Sequence, residues 1–253
     1  MTATTVDKLV QLKVRRKDST TGESYWEEFS VPFRTNMNVI SALMEIQKNP
    51  VNAKGEKVRS VAWEYNCLEE VCGACSMRIN GKVRQACSTL VDRLEQPITL
   101  EPMDTFPVEK DLVVDRSRMF NALQKIKGWV PIDGTYGLGS GPLISADHQQ
   151  EAYKYSTCMT CGCCLEACPN VNSGSPFIGP QAMGQVKYFN MHPTGSLQKN
   201  ERLEVVIGEE GIANCGSSQN CVQVCPKGIP LTTAIAELNR DGNRYALWSW
   251  LKK

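Results

Sequence analysis

The sequence predicts an α+β fold: a small mixed sheet carrying one helix, followed by a mostly α-helical half. Three observations carry that prediction. Strand-like alternation fills residues 8–33, an Asn80-Gly81 pair sits between two alternating stretches, and from residue 148 onward apolar residues recur with a helical period.

The first element is a hairpin. KLVQLKVRR (8–16) and YWEEFSVPF (25–33) alternate apolar and polar residues, and the turn-rich KDSTTGES separates them. VISALMEIQ (39–47) then places Val39, Leu43 and Ile46 on one helical face, with Asn38 as the N-cap. VAWEY (61–65) reads as a third strand. SMRINGKVRQAC (76–87) is a second hairpin, its Asn-Gly pair suited to a type I′ turn, and ITLEPM (98–103) closes the sheet. The expected order is β-β-α-β-β-β.

An acidic, proline-containing connector follows, so the boundary is placed near residue 106, with domains of 1–105 and 106–253. Helices are expected at VDRSRMFNALQKI, HQQEAYKYS, GPQAMGQVKYFN, ERLEVVIGEE and TTAIAELNR. GWVPIDGTYGLGSGPLI between the first two is too rich in Gly and Pro to be regular. Within it GLGSGP (137–142) resembles a phosphate loop only superficially, because no strand precedes it and Pro142 ends it. The terminal YALWSWLKK reads either as an aromatic and basic interfacial anchor or as a last helix packing Tyr245, Trp248 and Trp250 onto the domain.

Composition narrows the function. The net charge of +1 in 253 residues gives no basic field for nucleic acid. Mean hydropathy is −0.30 and no apolar run reaches the length of a membrane span. MTATTVDKLVQL has neither an export signal nor an Arg- and Ser-rich leader pattern. The twelve cysteines cluster too tightly for local disulfides, Cys161, Cys163 and Cys164 above all, so metal is the expected use.

Three thiol sets emerge. Cys67, Cys72 and Cys75 form C-x4-C-x2-C, with Cys87 on the far arm of the second hairpin, which folds back on the loop; this is the start of a plant-type 2Fe–2S spacing. CMTCGCCLEACP (158–169) and CGSSQNCVQVCP (215–226) are an internal repeat that matches cysteine for cysteine except at Ser218. In two-cluster ferredoxins the last cysteine of each run ligates the other cluster. That rule assigns Cys158, Cys161, Cys164 and Cys225 to a 4Fe–4S cluster. The other site receives Cys168, Cys215 and Cys221, with Ser218 at the remaining corner. A hydroxyl is a poor ligand for soft iron, so a three-ligand 3Fe–4S cluster is expected there. Cys163 is left over and reads as a small buried thiol near the cluster, the alternative being a secondary thiol of the site.

Zinc suits C-x2-C pairs, but C-x2-C-x2-C-x3-C-P is an iron–sulfur rather than a zinc-ribbon spacing. A Rieske centre needs paired histidines, and His148 and His192 sit in no such motif. No substrate or phosphate motif stands out, so the chain reads as an electron wire whose two-electron centre is supplied by a partner.

The order of these motifs resembles the iron–sulfur subunits of succinate dehydrogenase and fumarate reductase, with CPKGIP (225–230) and FIGP (177–180) similar as well. The resemblance covers nearly the whole chain. It implies a β-grasp, plant-type 2Fe–2S ferredoxin-like domain and a helical two-cluster ferredoxin-like domain. It also implies a flavoprotein partner with FAD that oxidises succinate, a membrane-anchor cytochrome b with haem b, and a quinone near the 3Fe–4S cluster. The chain would then sit peripherally on the cytoplasmic face of a bacterial membrane.

Two departures bear on the quinone. NVNSGSPF (170–177) lacks the tryptophan that ubiquinone-reducing relatives place after the first Cys-Pro, and Gly216 stands where they carry histidine. The pattern is more similar to the menaquinone-linked branch with a single di-haem anchor. Fumarate reduction, a free-standing multi-cluster carrier and a zinc-stabilised interaction module are the competing readings.

Overall fold

The computed structural model describes residues 8–131 and 142–252. The chain falls into two compact units, divided in sequence between Arg116 and Ser117.

In the first unit, β1 (Leu9–Lys17) pairs antiparallel with β2 (Ser24–Pro32). Helix α1 (Val39–Lys48) follows, and the Asn38 side chain accepts from the Ser41 N–H at 2.8 Å, as the N-cap reading requires. β3 (Ser76–Ile79) and β4 (Lys82–Gln85) form the second hairpin. Asn80 and Gly81 both lie at positive φ, 48° and 73°, which a type I′ turn demands. β5 (Ile98–Glu101) enters between the hairpins, parallel to β1 and antiparallel to β3, so the sheet order is β2-β1-β5-β3-β4.

The core lies between this sheet and α1. Val10, Leu12 and Val14 point inward from β1 and meet Leu43 and Ile46, all buried. The next inward position of β1 is Arg16, fully buried, which alternation alone would have made apolar. Its Nε donates to Asp111 at 3.1 Å, and Glu27 pairs with its Nη1. Asp111 belongs to a small two-stranded element not anticipated from sequence, β6 (Val108–Lys110) and β7 (Val113–Val114). Sequence pattern put the domain boundary near 106, whereas residues 106–116 make their contacts with the first unit.

The expected strand at 61–65 is absent. The Ala62 N–H donates to the Asp111 carboxylate at 2.7 Å and its carbonyl accepts from Leu112 N–H at 3.1 Å. A side chain thus takes the donor that a strand ladder would have used. The segment stays outside the sheet and delivers the chain to the cysteine loop that begins at Cys67.

The second unit is helical: α2 (Ser117–Lys125), α3 (Ala146–Ser156), α4 (Cys163–Glu166), α5 (Pro180–Met191), α6 (Lys199–Ile207), α7 (Asn220–Gln223) and α8 (Leu231–Leu251). Helix α8 packs along α5 and α6. Gly184 permits the close approach to α5, since a Cβ there would stand 2.8 Å from Leu231 Cδ2. Residues 137–141 of the glycine-rich stretch lie outside the described residues. The end of α8 does not pack as one sequence reading had it. Trp248 and Trp250 are 63% and 69% exposed, because the helix runs on past Gly242, its last buried residue. Tyr245 is tied down, its hydroxyl donating to Glu204 at 2.6 Å.

Candidate metal centres

The 67–75 loop turns on three left-handed residues, Leu68, Glu70 and Gly73. Such turns aim successive N–H groups to one side. Here the Glu69, Val71 and Cys72 N–H groups stand 3.3–3.4 Å from Cys67 Sγ, and the Ala74 N–H stands 3.5 Å from Cys72 Sγ. The donors at Glu69 and Val71, then Cys72, bring the Cys67 thiol down to about 7. N–H donors favour a thiolate, the form that binds metal.

Cys75 and Cys87 close the set from the second hairpin, Cys75 just before β3 and Cys87 just after β4. Both are buried. Burial, and the Cys87 thiol beside it, push Cys75 up to about 12. Gln85 supports this side: its amide lies 3.4 Å from Cys75 Sγ and 2.7 Å from Ser76 Oγ, which in turn donates to Gly73 O.

In the second unit the internal repeat is a structural repeat. Thr160 and Ser217 share φ of 51° and 52°, Gly162 and Gln219 are both left-handed, and α4 and α7 begin at the following residue in each run. The Asn220 amide donates to Ala167 O at 3.0 Å, linking the two loops. Each loop sends its last cysteine to the other. Cys158, Cys161, Cys164 and Cys225 line one pocket. Cys168, Cys215 and Cys221, with Ser218, line a second cavity of about 300 Å³. Cys163 lines neither and is fully buried.

These thiols oppose one another electrostatically. Burial drives Cys164 well up, reinforced by Cys161, Cys158 and Cys225. Burial likewise raises Cys158, Cys168 and Cys221. Thiols so placed lose their protons together only when a cation compensates.

The donor sets fit iron–sulfur clusters. Soft ligands surround volumes, and among the described residues no three His, Cys, Asp or Glu side chains converge as they would around a single ion. A second sign is Gln181, on the first turn of α5. It is 2% exposed, lines the pocket of Cys158, Cys161, Cys164 and Cys225, and both its amide atoms are buried without a hydrogen-bond partner. A buried amide left so costs about 1–3 kcal/mol, which a bond to a cluster sulfur would offset. Both histidines are employed elsewhere: His148 Nε2 meets Met191 O at 2.7 Å and His192 Nδ1 accepts from Gly195 N–H.

Sequence reasoning missed Gln181 and Gln85. Only the first had a visible signal, a polar residue beside the FIGP motif.

Comparison with known proteins follows the same division. Residues 11–121 match the 2Fe-2S iron-sulfur cluster binding domain family and residues 154–229 the 4Fe-4S dicluster domain family. The chain is 63% identical over 239 residues to the succinate dehydrogenase iron-sulfur subunit of Bacillus subtilis, covering 94% of each chain. It is 28% identical to the fumarate reductase iron-sulfur subunit of Haemophilus influenzae over 91% of each. The Wolinella succinogenes fumarate reductase iron-sulfur subunit is 31% identical over 70% of this chain and 76% of its own. A chain of the Mycobacterium smegmatis Sdh1 complex in the apo form shares the fold, with a TM-score of 0.78 at 24% identity over 94% of this chain and 96% of that one.

Proposed function

The chain belongs to the family of succinate dehydrogenase iron–sulfur subunits, and from that premise we propose how its cysteines divide among three clusters. Cys67, Cys72, Cys75 and Cys87 hold the 2Fe–2S cluster. Cys158, Cys161, Cys164 and Cys225 hold the 4Fe–4S cluster. Cys168, Cys215 and Cys221 hold a 3Fe–4S cluster, the type that family membership leads one to expect. The observation that carries the division is the exchange of Cys168 and Cys225 between the two repeated loops, each lining the cavity of the opposite run.

The function is electron transfer within a succinate:quinone oxidoreductase, with a flavoprotein and a membrane anchor as partner subunits. The substrate-oxidising site lies on the flavoprotein. When bound, the clusters supply one-electron relay sites between flavin and quinone. The chain's own residues hold thiolates at fixed positions, aim backbone N–H groups at their sulfurs and bury two of the four 4Fe–4S ligand cysteines, Cys161 and Cys164. Among the described residues no helix is long and apolar enough to cross a membrane. As family membership implies, association with the membrane is peripheral, through the anchor, and the exposed Leu247, Trp248, Trp250 and Leu251 at the end of α8 offer an apolar surface for that subunit.

In finer detail, the anchor is a cytochrome b carrying haem b, the chain sits on the cytoplasmic face of a bacterial membrane, and the quinone is menaquinone. The wall of the Ser218 cavity supports the last point. It carries Gly216 and Asn170 and no histidine, and the Asn170 Oδ1 stands 2.7 Å from where a Cβ of residue 216 would project. The physiological direction is succinate oxidation.

The deciding experiment is EPR spectroscopy of the purified complex, oxidised and then stepwise reduced, with iron assay. Three distinct cluster signals and about nine iron atoms per chain are expected. A colourless, zinc-loaded chain overturns the reading. Assays in both directions with naphthoquinone and ubiquinone analogues decide quinone and direction; efficient ubiquinone reduction with no naphthoquinone activity overturns the menaquinone assignment.

A further inference from the structure

Arg116 lies far in sequence from the 67–75 loop, yet its guanidinium grips that loop by the backbone. Nη1 donates to Gly73 O at 2.9 Å and Nη2 to Ala74 O at 2.7 Å. The side chain is 13% exposed, and its neighbouring carboxylate, Glu64, lies 3.5 Å away and is 47% exposed. The positive charge is therefore shielded from water on the loop side and only partly offset on the other.

Peptide geometry turns this grip into an effect on the sulfurs. The carbonyl and the N–H of a trans peptide point in opposite directions. A guanidinium on the Gly73 carbonyl holds the Ala74 N–H facing away from it, and that N–H is the one 3.5 Å from Cys72 Sγ. The Ala74 carbonyl and the Cys75 N–H are coupled in the same way. No ladder or helix holds these planes: Ser76 Oγ shares the Gly73 carbonyl at 2.9 Å, but the Ala74 carbonyl is held by Arg116, and Gly73, at φ 72°, gives the pair rotational freedom that the two-pronged grip removes. A charged donor on the carbonyl also polarises the amide and strengthens its N–H as a donor.

We propose that Arg116 is a positioning residue for the 2Fe–2S centre: it orients the 73–75 peptide planes toward the ligand sulfurs, adds a shielded positive charge, and thereby raises the centre's reduction potential. Adding an electron makes the centre more negative, and both N–H donors and a nearby cation favour the more negative state. The inference rests on the assignment of Cys67, Cys72, Cys75 and Cys87 as its ligands.

The test is a redox titration of the 2Fe–2S EPR signal in the purified complex, for wild type, Arg116→Gln, Arg116→Lys and Glu64→Gln, with iron assayed in each. Arg116→Gln should shift the midpoint to more negative potential while the other two clusters titrate unchanged. Arg116→Lys, which keeps charge but not the two-pronged grip, should fall between it and wild type. Glu64→Gln, which removes the offsetting carboxylate, should shift the midpoint the opposite way. Should Arg116→Gln lose the 2Fe–2S signal, Arg116→Lys decides. A wild-type midpoint in every Arg116 variant that retains the signal overturns the proposal. A wild-type complex with no 2Fe–2S signal overturns the ligand assignment instead.

Discussion

Ser218 occupies in its loop the place that Cys161 occupies in the other. The residue before each has φ of 51–52°, the residue after each is left-handed, and a short helix starts one position later. The backbone of a four-ligand loop is thus intact around Ser218, and only the sulfur is missing. Gln219 accepts a conformation in which its counterpart is Gly162, which ties the similarity to the loop rather than to a shared glycine.

Ser218→Cys should therefore complete the site without rebuilding it. Iron should rise from about nine to about ten per chain, and the three-iron EPR signal of the oxidised complex should disappear. Ser218→Ala should leave both iron and signal as they are, because the hydroxyl is not a ligand. Loss of iron in Ser218→Ala would mean that the serine oxygen is one.

Gln181 should act on the 4Fe–4S centre alone. Gln181→Leu keeps the volume and removes a buried amide that has no protein partner. The chain should fold as well as wild type, since replacing an unsatisfied polar group by an apolar one of similar shape is neutral or stabilising. The 4Fe–4S midpoint should move to more negative potential through the lost N–H donor, with the other two clusters unmoved. An unchanged midpoint would show that the amide makes no bond to the cluster.

Cys163 should be dispensable for metal. It lines neither cavity, and its counterpart in the repeat is Asn220. Cys163→Ala should keep about nine irons per chain and lower stability by about 1 kcal/mol through lost packing. Thermal unfolding with iron assay checks both; a fall in iron would make this thiol part of a site.

Much of this was legible because a cluster ligand set is written in local spacing. Cys67, Cys72 and Cys75, and the two C-terminal runs, declare themselves over a few residues, and Asn80-Gly81 announces its turn in two. What stayed hidden depends on distant partners. Alternation predicts an apolar residue at position 16, and only the arrival of Asp111 explains Arg16. Val61–Tyr65 has a strand's composition, but its Ala62 N–H goes to that same carboxylate. Arg116 has no pattern of its own at all: its role comes from carbonyls more than forty residues earlier.

Asp111 yields the last prediction. Its carboxylate accepts from Arg16 Nε, both Nη atoms of Arg59, and the N–H groups of Lys17 and Ala62, all within 3.1 Å. Asp111→Asn keeps the shape but turns an amide donor toward donors and leaves Arg59 and Arg16 short of negative charge. Breaking a buried charge set in this way costs about 3–5 kcal/mol. Although burial works against ionisation, the Arg59, Ala62 and Lys17 donors outweigh it and hold the Asp111 carboxyl below the usual aspartate range. The folded value is thus below the unfolded one, about 3.9. The stabilisation is fully present above about pH 3.9 and is lost as pH falls through the folded value. Denaturant unfolding of wild type and Asp111→Asn should show a constant difference from about pH 7 to 5 that narrows in stronger acid. A difference that stays constant down to about pH 2 would mean that the carboxylate's charge is not what holds residues 59–62 and 110–112 to β1.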